Sequence, residues 1–420
     1  MSTNALPSHI ARYLASTRLD LPDITSTDSK TRSSDNTMYE PMIGYINTLS
    51  EGLGIQVDIE IVYTDSFKSE AVTLNNRMHI IHDRYLGQVI NMLNRLFLYG
   101  ASHETRLTYS HKLASQIFSR YGFYEESIFA AQIYQDEKES MDHKKKQAEN
   151  GSLIHGLYTH IQELYILLHE HAHLVFKDNK ELLSQISEDV REWIIDYGQK
   201  ESSQKLMMEA LSQKDIPSDE LKFYMENMDK LTEHAQLAND FCIEISNRTD
   251  LVEEFCCDRL AILHMVPYLK ALSQLKSSDY IKAIVLCFLH LRTIQLLEAR
   301  CSIETNYKFE DRENIFDLQE NLYTIFYNAR LHHIKEFCYD LFISEESEYE
   351  EIHSNISEMM YSHSDDILSP AENVVSNLLY SKEIRSGMKQ QFDYIKENMK
   401  PDQHFMRIVS AMLHYAPSKK

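Results

Sequence analysis

Three side chains suited to metal chemistry fall within five residues of this chain: His169, Glu170 and His173, inside the stretch LYILLHEHAHLVF. On a helix, His169 and His173 lie four apart and so project from one face a turn from each other. Glu170 lies on the neighbouring edge. The pattern is H-E-x-x-H, which sets two imidazoles on a zinc ion and a carboxylate beside the water that the ion binds. The lead-in from Leu164 to Leu168 has no polar break. This helix is therefore expected to be buried on most sides. Imidazoles and carboxylates in such a sleeve are costly unless a partner satisfies them.

A zinc centre of this kind needs a third protein ligand and an open position for water. Leu251–Ile262 (LVEEFCCDRLAI) offers Glu254 and Asp258, four apart and again on one helix face. Glu254 is expected to be the third ligand. Asp258 would take the free N–H of a bound histidine, His169, and fix its tautomer. Glu336 and Asp340 share that spacing. Glu254 is preferred because it follows the metal helix more closely and opens an apolar helix containing the small Ala261.

The remaining candidates read as scaffold. His171 is turned about 200° from His169 and is expected in the core or just behind the ligands. Glu253, about 100° from Glu254, reads as a solvated or salt-bridged neighbour. Cys256 and Cys257 read as two small buried residues, and His79, His82, His332 and His333 as structural. In such a centre the water has a lowered pKa, Glu170 takes its proton, and the proton later reaches the leaving amine. The motif does not name the donor that steadies the oxyanion.

The rest of the chain has to position these residues. It has 420 residues, 43% hydrophobic and 25% charged, with only 10 Gly and 8 Pro, which argues for long helices. The net charge of −22 disfavours nucleic acid or an anionic membrane as main partner. Six cysteines without C-x-x-C pairs, and no apolar leader near Met1, point to free thiols in a cytoplasmic protein. The longest strongly apolar run, Ala283–Leu289, is too short to span a bilayer.

Residues 1–38 read as a short helix near Pro7–Thr17 followed by a mobile polar segment. Residues 39–151 hold the β signal: a strand at Ile55–Asp65, then Ala71–Asn75 and Met78–Ile81 around a turn at Asn75-Asn76-Arg77. An apolar helix, Tyr85–Tyr99, follows, then helices at Thr108–Phe123 and Glu125–Glu149. Residues 152–345 form the metal-binding helical part, with further helices at Lys180–Tyr197, Ser218–Ser246, Asp250–Met265, Tyr268–Ala299 and Glu313–Phe342. Residues 346–420 form a helical extension (Ala371–Tyr380, Ile384–Asn398, Asp402–Tyr415). Acidic stretches such as SEESEYEEIHS read as connectors. The expected fold class is mainly α (α+β): a helical zincin-like domain with a small N-terminal sheet and a C-terminal helical extension.

H-E-x-x-H followed by a remote E-x-x-x-D resembles the gluzincin class of metallopeptidases. The chain is more closely similar to the Lit-type phage-exclusion peptidases, in LYILLHEHAHLVF, in EEFCCDRLAI, in LLEA at Leu296–Ala299, and in an upstream strand pair running into an apolar helix over 55–98. The likeness covers roughly 50–330. It implies a cytoplasmic zinc endopeptidase that stays quiet until a phage product appears and then cleaves elongation factor Tu. It also implies a sheet edge that holds an extended substrate, although a strand that only covers the core fits the residues equally well.

Two departures stand out. The family's His-Pro and Arg after the E-x-x-x-D helix correspond here to Asn306-Tyr307 and Arg312, so Tyr307 or Arg312 would take the oxyanion role. The separation of 81 positions from His173 to Glu254 exceeds the family's spacing, which implies a helical hairpin inserted over the cleft. The rival readings are a helical interaction module with a structural or inactive zinc site, and a zinc hydrolase acting on bonds other than peptides. Glu170 argues for catalysis, since a structural site has no use for it.

Overall fold

The computed structural model describes residues 7–17, 29–62, 64, 66–140, 152–202, 236–272, 276–306, 312–343 and 346–380. The chain is mostly helical with one small N-terminal sheet, in agreement with the mainly-α expectation.

Helices α1 (Ser8–Thr17) and α2 (Ser29–Leu53) precede strands β1 (Val57–Val62), β2 (Ser69–Leu74) and β3 (Arg77–Asp83). The strand order is β1-β3-β2, with β1 parallel and β2 antiparallel to β3. The β2–β3 turn is tight because Asn75 and Asn76 adopt φ of 50° and 61°, the left-handed pair that a two-residue hairpin requires. This leaves β2 on the outside of the sheet. The expected polar segment up to residue 38 is instead helical from Ser29. Tyr39, Met42 and Ile46 recur at helical spacing on α2 and are fully buried, so tertiary packing overrides the weak local propensity.

Asp83 ties the sheet to the next helix. It caps α3 (Arg84–Leu98) by accepting from the Tyr85 N–H, and it also accepts from the N–H groups of Thr64, Ser66 and Phe67. One buried carboxylate thereby fixes both the start of α3 and the loop from β1 to β2. Helices α4 (His103–Arg120) and α5 (Tyr124–Ser140) follow and pack against each other.

Helix α6 (Ser152–Asp178) carries the H-E-x-x-H residues. Tyr165, Leu167 and Leu168 are buried, as its apolar lead-in requires. Glu163 on this helix is also buried and takes the Tyr39 hydroxyl and an Arg84 guanidinium N–H. Gly87 makes room for it: a Cβ there would come 1.6 Å from Glu163 Oε1.

Helix α7 (Lys180–Ser202) and a helical stretch at 236–247 lead to α8 (Thr249–Leu272), which crosses α6. α8 continues through Pro267, where a break was expected at Met265. Buried Leu269 continues its apolar face, and the Tyr45 hydroxyl donates to the His264 carbonyl, so a main-chain acceptor in the disturbed turn has a partner. Helices α9 (Ser277–Asn306), α10 (Arg312–Phe342), α11 (Glu346–His363) and α12 (Ser369–Tyr380) follow. The acidic stretch read as a connector is largely α11, because Ile352 and Ile356 bury one of its faces. α9 is long and apolar enough to cross a membrane by composition, and 78% of its apolar window is buried against the other elements.

Two apolar clusters meet along α6 and α8. The larger gathers Leu164–Leu168 with α2, α3, α9 and the C-terminal helices; the smaller gathers Val175 and Phe176 with α7 and the first turns of α8. His169 and His173 lie at the seam. In the described part of the expected insertion, Lys180 lines the cleft while Leu183, Val190, Ile194, Phe241 and Ile245 join the smaller cluster beside α8; residues 203–235, which hold most of the expected hairpin, lie outside the described residues. The expected helices at Ile384–Asn398 and Asp402–Tyr415 lie outside the described residues.

Several buried histidines are held neutral. Burial pushes His171 and His333 down to about 4 and His363 down to about 3, and holds His290 well below its ordinary 6.5. His290 and His363 pair at 3.0 Å and continue to Asn94. Below pH 6.5 the unfolded chain binds these protons and the folded chain does not, so stability falls as pH falls. Each group contributes at most about 1.4 kcal/mol per pH unit. The urea midpoint is expected to drop steeply between pH 6.5 and 4. A flat midpoint from pH 7 to 5 would show that these rings protonate freely in the folded state.

Candidate metal centre

The α6–α8 crossing brings two pairs of residues together, each pair four apart on its own helix. His169 and His173 come from α6, and Glu254 and Asp258 from α8. The ligating atoms of His169, His173 and Glu254 all lie within 4.8 Å of one another. Nε2 of His169 and Nε2 of His173 each stand 3.4 Å from a Glu254 oxygen, so both rings turn the same nitrogen inward. The two rings meet edge to face with centroids 5.0 Å apart.

The outward nitrogens also have carboxylates. Asp258 Oδ1 is 2.9 Å from Nδ1 of His169, and Glu253 Oε1 is 2.9 Å from Nδ1 of His173. A carboxylate behind each ring leaves Nδ1 as the donor and Nε2 free to ligate. Glu253 is thus a salt-bridged neighbour rather than a solvated one, and it does for His173 what Asp258 does for His169.

Asp258 is fully buried and would be costly alone. Arg330, arriving from α10, donates to it from Nε and Nη2 at 2.8 Å each. Its Nη1 lies 3.0 Å from Glu254. Tyr165, one turn before His169, adds a hydroxyl donor at 2.7 Å. The guanidinium lies over the rings of Phe288 and Phe326.

The charges respond to this packing. Burial opposes ionisation of Glu254, but Arg330 and the two imidazoles outweigh it and hold its pKa well below the usual carboxylate range. Asp258 is held down in the same way, against burial, by Arg330 and His169. Burial disfavours the His169 cation, yet Asp258 and Glu254 lift the ring to about 9. Glu170 is pushed up to about 7 by burial, partly offset by the two histidines and by an N–H from Ala71 on β2.

These groups line a cleft of about 720 Å³. One wall is β2 with the loop before it, from Phe67 to Ala71; another is α9, with Phe288, Leu291 and Gln295. Phe67 adopts φ of 50°, a left-handed backbone that Asp83 holds through the Phe67 N–H. The Arg120 guanidinium covers its ring at 5.2 Å.

Glu336 is bound instead to the Trp193 indole N–H at 2.7 Å. His171 is buried behind α6 with Nε2 2.9 Å from the Ser50 hydroxyl. Cys256 and Cys257 are both buried. Tyr307 lies outside the described residues. Arg312 opens α10, eighteen residues before Arg330, which is about 27 Å along the helix. Its side chain lies outside the described residues.

Sequence reasoning missed Arg330 and the polar role of Tyr165. Tyr165 was findable, since it stands four residues before His169 and so on the same face. Arg330 comes from a third helix, and the only available signal was that two buried carboxylates require a cation. No protein-family model, curated protein or solved structure matches this chain.

Removing one partner of a buried ion pair costs about 3–5 kcal/mol. Arg330→Met is therefore expected to lower the urea midpoint strongly, whereas Arg330→Lys, which keeps the charge without the fork, should lower it less. A methionine variant as stable as wild type would mean that Asp258 does not need its cation.

Proposed function

We propose that the chain is a zinc-dependent endopeptidase of the gluzincin type, in which His169, His173 and Glu254 hold the metal and Glu170 is the general base. One observation carries the reading: the two imidazoles turn Nε2 toward Glu254 while a carboxylate backs each Nδ1. Two neutral imidazoles and one carboxylate, with the rings' tautomers set from behind, form a donor set that fits zinc and leaves a fourth position open. When bound, the ion would lower the pKa of its water and polarise the scissile carbonyl.

The protein's own groups account for the rest. Glu170 sits in the cleft beside the ligands, takes the proton of the attacking water and returns it to the leaving amine. Its burial raises its proton affinity toward neutrality, which suits a group that must both accept and release a proton. Arg330 keeps Glu254 and Asp258 ionised and thereby keeps the ligand set ready for a cation. Of the two oxyanion candidates that the Lit-type likeness implies, Tyr307 remains; Arg312 begins α10 about 27 Å from Arg330 along the helix and is out of reach of the ligands.

The substrate side follows from β2. It is an edge strand, it lines the cleft, and its Ala71 N–H reaches the general base. An extended peptide added along that edge would pass beside Glu170 and over the metal, which favours a protein substrate over a small one. The Lit-type likeness makes elongation factor Tu the first protein to test, in a cytoplasmic anti-phage or stress setting with an activating partner.

The test is metal analysis joined to mapping of new protein N-termini. Wild type is expected to retain about one zinc per chain and to create new N-termini in elongation factor Tu or in a host extract. Glu170→Gln should retain the zinc and create none; His169→Ala/His173→Ala should lose both. Zinc-free wild type, or cleavage surviving in Glu170→Gln, would overturn the assignment.

A further inference from the structure

His173 belongs to two sets of metal-ligating atoms. Besides the set with His169 and Glu254, it forms one with Glu253 and Cys257, whose ligand atoms also lie within 4.8 Å of one another. The first set takes only Glu254 from α8, whereas the second takes both Glu253 and Cys257. Glu254 and Asp258 make one row along that helix, and Glu253 and Cys257 make the adjacent row, again four apart.

The two rows differ in what else they hold. Asp258 is committed to Arg330 by two hydrogen bonds and to Tyr165 by a third. Glu253 has His173 as its hydrogen-bond partner and Lys180 as a nearby cation, and it lines the cleft, so an ion can reach it. Behind it, the buried Cys257 thiol stands within hydrogen-bonding reach of the His173 ring.

We propose that Nδ1 of His173, Glu253 and the Cys257 sulfur form a second metal site, selective for thiophilic divalent ions such as cadmium or excess zinc. One sulfur, one nitrogen and one oxygen suit a borderline or soft ion, whereas magnesium and calcium prefer oxygen alone. On binding, the metal replaces the Nδ1 proton and the thiol proton; two protons leave and no electron moves. The His173 ring then bridges the two sites through Nε2 and Nδ1. Metal at the second site takes the ring from Glu253 and alters what Nε2 donates, so excess metal becomes a brake on the first site. The proposal rests on the peptidase reading only through His173; His169 and Glu254 are not needed for it.

Cadmium titration of the full chain tests it. Wild type is expected to bind two equivalents, one of them with an ultraviolet thiolate-to-metal band. Cys257→Ser should lose that band and one equivalent, Cys256→Ser should keep both, and Glu253→Gln should weaken the band-forming step at least tenfold. Cadmium NMR of unmodified protein reports a sulfur ligand without any substitution, should Cys257→Ser fail to fold. Absence of the band and of a sulfur-ligated resonance in wild type, or a band that survives in Cys257→Ser, would sink the second site. His169→Ala separates the two readings. A band that persists there while the other equivalent is lost supports both sites. A wild type that binds a single, sulfur-ligated equivalent, unchanged in His169→Ala, keeps the second site and removes the first.

Discussion

Arg330 reaches from α10, between Phe288 and Phe326, to two carboxylates of α8, and the charge balance of the cleft follows from that reach. Four carboxylates (Glu170, Glu253, Glu254 and Asp258) converge on two imidazoles in a partly desolvated space. Without a fixed cation, the least costly response would be protonation of one or more of them. The guanidinium keeps Asp258 ionised where no water reaches it. Asp258 in turn orients His169, and His169 faces Glu254. The order of dependence runs from a residue that does not face the metal position to those that do.

The sheet plays the complementary part. Its strands bury Val57, Val62, Ile80 and Ile81, and Asp83 makes their connection rigid where it borders the cleft, holding Phe67 in a backbone conformation that few side chains adopt. Because β1 pairs with β3 rather than β2, the outer edge of β2 is left to face α6. The antiparallel hairpin and the parallel crossover are thus two parts of one device that presents main-chain groups to Glu170.

Spacing within one helix was legible in the sequence. His169 with His173, and Glu254 with Asp258, are each set on one face by the helical period alone, and the asparagine turn between β2 and β3 declares itself by residue type. What crosses between elements was not legible. Arg330 stands 72 residues from Asp258, and no period relates them. Pro267 and the acidic start of α11 misled for a common reason: both follow local propensity, and in both places buried residues such as Leu269 and Ile356 decide the outcome. The polar stretch before Tyr39 misled in the same way. The oxyanion candidates came from a resemblance rather than from residue chemistry, and the structure adds no contact for either of them.

The C-terminal helices are not an appendage. Ile352, Ile356, Val375 and Leu379 belong to the same apolar cluster as the metal helix, and His363 pairs with His290, which continues through Asn94 to Gln162 on α6. A genetic consequence follows. A stop codon just after residue 345 would not yield a shorter, simpler enzyme; it would strip one wall from the core that seats the metal helix. Loss-of-function alleles should therefore occur among the core codons between residues 352 and 379 as well as around the H-E-x-x-H codons.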